Sequence, residues 1–161
     1  MTEPTELPQR KRPAHHPVHS HGNRSTFVFM TVCSKNRKYI FANTESMTAI
    51  LEAWDKADYW LVGKFMIMPD HVHFFCAPGT SAGFSLKRWV RYWKSLVSLS
   101  WPRSEEQPIW QNDFWDTKIR SGDHYTEKWE YVRNNPVRQG LVTVPDDWPF
   151  QGVMNNLQGH D

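Results

Sequence analysis

Residues 64–78, KFMIMPDHVHFFCAP, constrain the fold more than any other stretch. Two apolar arms, Phe65 to Met68 and His71 to Cys76, flank a Pro69-Asp70 turn signal. Each arm reads as a strand, and the two form a hairpin. Side chains alternate between faces along a strand. His71 and His73 therefore share one face, and Val72 points to the other. Two readings fit this pair. The imidazoles are placed to chelate one divalent ion, or they are two histidines on the wetter face of a hairpin.

A chain of 161 residues with 39% hydrophobic content supports one domain around one core. Its formal net charge of +2 does not mark a polyanion binder, so any phosphate-binding patch must come from local clustering. The two cysteines, Cys33 and Cys76, lie in strand-like runs and read as reduced, buried thiols rather than a disulfide. No apolar run reaches the length of a membrane span, and the expectation is a soluble, cytoplasmic protein.

Residues 1–24 are rich in Pro, His, Lys and Arg and are expected to form a disordered tail, residues 25–150 the domain, and residues 151–161 a frayed end. Thr26 to Cys33 alternates as a strand. Thr44 is placed to cap a helix with Met47, Ile50, Leu51 and Trp54 at helical spacing. Tyr59 to Met68 reads as one strand interrupted at Gly63, a bulge candidate. The histidine strand follows, then a helix over residues 85–99, a strand over 109–119, and a third helix capped by Asp123 and stopped by Pro136. This order fits an α+β, ferredoxin-like split βαβ plan, an antiparallel sheet with helices on one face plus a C-terminal helix. The first and third strands are central in that plan, so the histidine strand is expected in the middle of the sheet.

The helix at residues 85–99 carries Lys87, Arg91 and Lys94 at i, i+4, i+7, with Arg88 adjacent, and no acidic residue lies between Asp70 and Glu105. The face suits phosphate contact; it also suits ordinary solvation.

The third helix has an apolar stripe of Tyr125, Trp129 and Val132. At about 100° per residue, Tyr131 lies off that stripe, nearest to His124, Glu127, Lys128 and Asn135. By itself an off-stripe tyrosine is a surface residue. Beside a histidine pair it suggests a nucleophile. A phenol with a pKa near 10 can attack a phosphodiester when a metal neutralises the phosphate. Two histidines call for a third ligand. Asn135 offers an amide oxygen suited to Mg²⁺ or Mn²⁺, although Pro136 pulls it out of helical geometry; Glu127 is the alternative.

MPDHVH at Met68 to His73 resembles the His-hydrophobic-His motif of single-tyrosine transposases. WQNDFWDTKIR at Trp110 to Arg120 and YVRNNPVRQGL at Tyr131 to Leu141 resemble the subgroup of REP-associated tyrosine transposases, and TFVFMTVCSKNRKYIF fits as the first strand and basic turn. The resemblance spans about residues 25–150. It implies a ferredoxin-like fold, recognition of short palindromic hairpins, and metal-dependent cleavage of single-stranded DNA through a 5′-phosphotyrosine. Tyr131 matches the nucleophile, and His71 and His73 match the metal pair. Arg120 ends the second motif and joins Lys87, Arg88, Arg91 and Lys94 as a DNA-contact candidate. The expected partner is hairpin DNA, with a divalent metal, no small-molecule cofactor and no membrane, as monomer or dimer. There are two departures. Asp70 stands where Asn or Glu is expected, and Thr117 stands where the family often has His. A hairpin-binding module that no longer cuts is the alternative, and an unrelated ferredoxin-like metal- or RNA-binding protein is a third reading.

Overall fold

The computed structural model describes residues 27–79 and 83–157, so the expected N-terminal tail at residues 1–24 lies outside the described residues. Five strands, β1 (Phe27–Cys33), β2 (Trp60–Ile67), β3 (His71–Pro78), β4 (Trp115–Ile119) and β5 (Gln151–Val153), form one sheet in the order β4-β1-β3-β2-β5. Every pairing is antiparallel. The helices are α1 (Thr44–Lys56), α2 (Leu86–Leu99), α3 (Gly122–Arg133) and the short α4 (Asn135–Arg138). The expected α+β architecture is present, and β1 and β3 hold its centre.

The alternation of each strand sorts its side chains onto two faces. Val28, Met30, Val32, Val72, Phe74 and Cys76 pack against Ile50 and Trp54 of α1 and Trp89, Trp93 and Val97 of α2. Phe74 sits at the middle of this layer, with ring centroids 4.8 Å from Trp54, 5.8 Å from Trp93 and 6.1 Å from Trp89. Much of the aromatic content is thus core. Phe74→Ala is expected to lower unfolding free energy by about 3–5 kcal/mol, read as a lower urea midpoint. A loss below about 1 kcal/mol, the range of surface changes, would mean that this layer is not tightly packed.

The opposite face is smaller. Phe29, Met66, Met68 and Phe75 meet Val132 and Trp129 of α3 and Trp148. This face also carries His71 and His73, because β3 presents them on the side of Phe75. α3 therefore lies across the sheet from α1 and α2.

Local chemistry explains where the elements start. Asn43, one residue before the expected cap Thr44, takes the capping role, its Oδ1 accepting from the Ser46 amide at 2.9 Å. Ser121 caps α3 in place of Asp123, its Oγ accepting from the His124 amide at 3.1 Å. Both pairs offer two good capping residues within two positions, and periodicity alone does not choose between them. The strand expected over residues 109–119 begins only at Trp115. Upstream, the Asp113 carboxylate accepts from the Phe114 amide at 2.9 Å, a local bond that competes with strand pairing. Trp110 makes an isolated bridge to Ser34.

The frayed end expected over residues 151–161 is corrected for its first part. Gln151–Val153 pairs with Lys64–Met66 on the free edge of β2. The Met154 amide donates to the Gly63 carbonyl at 3.0 Å. Gly63 lies within the β2 register shift between Val62 and Phe65, and a Cβ there would meet Leu157 Cδ1 at 2.6 Å. The bulge glycine makes room for the returning chain, which a reading of local periodicity does not reveal. Residues 158–161 lie outside the described residues.

Candidate active site

The register of the two central strands builds the site. Thr31 stands opposite His73, and Cys33 opposite His71. Thr31 Oγ1 lies 2.9 Å from His73 Nδ1. The Phe29 ring stacks on His73 with centroids 5.3 Å apart and planes at 24°. His71 Nδ1 donates to Asp70 Oδ1 at 2.7 Å. Asp70 Oδ2 in turn accepts from Arg37 Nε at 2.9 Å. The expected turn residue Asp70 is thus the hydrogen-bond anchor of His71. Arg37 reaches it from the basic turn after β1, where Asn36 and Arg37 both have left-handed backbone, with φ of 57° and 55°. Such conformations cost on the order of 1–3 kcal/mol in non-glycine residues and persist where surrounding contacts hold them.

The two imidazole rings are 4.6 Å apart. With Nδ1 of each committed to Asp70 or Thr31, the Nε2 lone pairs are the ones left for a ligand. His71 is buried, while His73 keeps part of its surface accessible. Burial pushes the His71 pKa down, against the opposing pull of Asp70. His73 lies well below the usual imidazole range because of burial and the charges of His71, Lys128, Arg138 and Arg37. Both rings are therefore neutral near pH 7, the form that binds a metal.

This arrangement makes a pH prediction. The unfolded imidazoles take up protons near pH 6.5, and the folded ones do so only at lower pH. The unfolded state thus binds more protons in that window, and stability falls as pH drops below about 6.5. Thermal unfolding is expected to show a lower midpoint in that direction, with a flatter response in His73→Gln. A wild-type response no steeper than the variant's would mean that the fold does not hold His73 neutral.

Asn135 completes the cluster. Its Nδ2 is 3.4 Å from His71 Nε2, and it is buried. α3 ends at Arg133, and Asn134 turns the chain with φ −87° and ψ 0°. Asn135 then opens α4, with Pro136 following it. The expectation that Pro136 pulls Asn135 out of helical geometry is corrected: Asn135 is helical and the break falls at Asn134, which delivers Asn135 to the histidines. Glu127 is exposed on α3, and among the described residues no three His, Cys, Asp or Glu side chains group as a metal site. The Asn135 Nδ2 faces His71 and its Oδ1 faces Arg138, so the amide oxygen joins the two imidazoles as a donor set for a hard, six-coordinate cation once the amide is turned over.

Tyr131 lies in the last turn of α3 and is 42% exposed. The Arg138 guanidinium lies 3.7 Å from its ring centroid. The same side chain donates to the Asn135 amide oxygen at 3.3 Å. A line of contacts therefore runs from His73 through His71, Asn135 and Arg138 to Tyr131. Lys128 adds a third cation to Arg37 and Arg138 near the pair, its Nζ lying 5.3 Å from the centroid of Phe29. Sequence reasoning did not single out Arg37, Lys128 or Arg138; the basic turn and the YVRNNPVRQGL motif carried the signal for the first and last.

The α2 cations lie elsewhere. Lys87 and Arg91 are exposed on the helix that packs against the other sheet face. Arg88 lies over the Phe84 ring at 4.7 Å. Lys94 turns inward, donating to the Gln111 carbonyl at 2.9 Å and packing 5.8 Å from the Trp110 ring centroid. Burial lowers its pKa to about 8. Arg120 is exposed at the end of β4. Thr117, opposite Phe29 on β4, is exposed on the histidine face. Among the described residues no helix is long and apolar enough to cross a membrane.

Comparison with known proteins gives four matches. The model of the family "Transposase IS200 like" matches residues 25–135. The REP-associated tyrosine transposase of Escherichia coli K12 is 29% identical over 127 residues, covering 76% of this chain and 73% of that protein. A Haemophilus influenzae protein bearing the name of the REP-associated tyrosine transposases is 28% identical over 104 residues, covering 57% of this chain and 58% of its own length. The match thus spans under two thirds of that relative. In three dimensions, a solved REP-associated tyrosine transposase bound to a REP hairpin superposes with a TM-score of 0.66 at 22% identity, covering 91% of this chain and 98% of the other. That likeness fixes the fold.

Proposed function

We propose that this chain, which belongs to the IS200-like transposase family, is a metal-dependent nuclease and strand transferase acting on single-stranded DNA beside palindromic hairpins. The observation that carries the reading is the line of contacts joining the histidine pair to Tyr131 through Asn135 and Arg138. The hairpin partner is taken from the relative whose structure holds a REP hairpin.

In the proposed step the Tyr131 hydroxyl oxygen attacks phosphorus. The bond from phosphorus to the 3′ oxygen breaks. The phenolic proton leaves to solvent at the exposed side of the ring, and the departing oxygen takes up a proton to become a 3′-OH. The phosphate remains a diester, now joined to Tyr131 and to the 5′ carbon. His71, His73 and Asn135 would hold a divalent cation, Mg²⁺ or Mn²⁺, whose chemistry is charge neutralisation at the scissile phosphate. Asp70 and Thr31 fix the imidazole rings, and the nearby cations Lys128, Arg138 and Arg37 favour a phosphate on this face. DNA seated on the histidines meets these three residues before it reaches the α2 stripe, which lies across the sheet.

Thr117 favours one second reading, a module that holds the hairpin without cutting it. A hydroxyl stands on the site face at the position where the family often has an imidazole. One experiment separates the two. The protein is incubated with single-stranded hairpins taken from beside its own gene, with Mn²⁺ or with EDTA, and run on a denaturing gel. A covalent protein–DNA adduct that requires Mn²⁺ supports the nuclease; hairpin binding with no adduct supports the binding module.

A further inference from the structure

Arg138 makes three contacts that few side chains can make together. Its Nη1 donates to the Tyr131 carbonyl at 2.8 Å, and its Nη2 donates to Asn135 Oδ1 at 3.3 Å. Its guanidinium carbon lies over the Tyr131 ring, 3.7 Å from the centroid. The last carbonyls of a helix lack intrahelical partners, and Tyr131 sits in the last turn of α3. Arg138 donates to the Tyr131 carbonyl from the next helix, after the turn at Asn134. It thereby bridges the break between α3, which carries the tyrosine, and α4, which carries Asn135.

We propose that Arg138 is a positioning residue that locks the Tyr131 ring in register with Asn135. The inference rests on the nuclease reading for its purpose, though not for its geometry. The break between the helices would otherwise leave the tyrosine and the amide on two segments joined by a turn. A planar fork that stacks on a ring and donates in two directions ties them into one body. Lysine keeps the charge but has neither the plane nor the fixed pair of donors. Misplacement of a reacting group by about an ångström can cost on the order of 10²-fold in rate, so a tie of this kind has consequences for catalysis.

The test uses the full chain labelled with 3-fluorotyrosine. Its five tyrosines give five fluorine resonances, and Tyr131→Phe assigns the one that matters. In Arg138→Gln and Arg138→Lys the Tyr131 resonance is expected to shift while the other four stay in place, which also shows that the variants fold. At saturating hairpin and Mn²⁺, both variants are expected to form adduct on the order of 10²-fold more slowly. An unmoved Tyr131 resonance would overturn the stacking, and a wild-type adduct rate in Arg138→Lys would reduce the residue to a charge. A wild-type chain that forms no adduct would sink the nuclease reading, and the fluorine shift would still decide the tie between Arg138 and Tyr131.

Discussion

Tyr131→Phe is expected to abolish the covalent protein–DNA adduct while leaving hairpin binding unchanged. The substitution removes one oxygen, the atom that would attack phosphorus. Losing a covalent nucleophile lowers turnover by roughly four orders of magnitude or more, which on a denaturing gel is complete loss. The rest of the side chain's role survives. A phenylalanine ring still lies under Arg138, whose bond to residue 131 is to the backbone carbonyl. Tyr131 is 42% exposed, so the fold is expected to change by no more than about 0.5 kcal/mol. The measurement pairs the gel with a hairpin-binding isotherm for the same protein. Adduct persisting at the wild-type level would remove Tyr131 from the mechanism. Tyr125 would then be the tyrosine to replace, although its ring packs 4.4 Å from Phe75 on the core side of α3.

The contrast between these two tyrosines shows what the sequence could reveal. Periodicity separates them correctly. Tyr125 falls on the apolar stripe and meets Phe27 and Phe75, and Tyr131 falls off it and is exposed. Strand alternation likewise puts His71 and His73 on one face, and element order puts β3 at the sheet centre. These features repeat along the chain, so local patterns carry them. What joins the site does not repeat. Helical spacing puts Asn135 near Tyr131, but its reach to His71 across 64 positions follows from a helix break at Asn134 that spacing does not reveal. Arg37 reaches Asp70 through two left-handed residues in a turn, and β5 exists because Gly63 leaves room for Leu157. The α2 stripe is a different case. Its charge pattern is real, but the pattern contains no information on which side of the sheet the helix packs, and Lys94 satisfies its amine inside the protein.

His71→Ala and His73→Ala are each expected to eliminate adduct formation and to weaken Mn²⁺ binding, followed by the loss of the free-ion paramagnetic resonance signal on titration. The size of the effect separates a ligand from its support. Removing the hydrogen-bond partner of a ligating histidine typically costs about 10–100-fold in metal affinity, and Asp70→Asn is expected in that range because an amide oxygen at position 70 still accepts from His71 Nδ1 while the carboxylate charge is lost. Deleting His71 is expected to cost more, since it takes a donor from the site. It also leaves the Asp70 carboxylate with Arg37 alone and the Asn135 amide without its imidazole neighbour. Deleting His73 frees the Thr31 hydroxyl and uncovers one side of Phe29. The two variants should nonetheless behave alike in metal binding, because each leaves a single imidazole with Asn135. If His73→Ala bound Mn²⁺ as the wild type does, the pair would not be a chelate. Cleavage that survived EDTA would remove the metal from the reaction altogether, leaving Lys128, Arg138 and Arg37 as the groups that neutralise the phosphate for Tyr131.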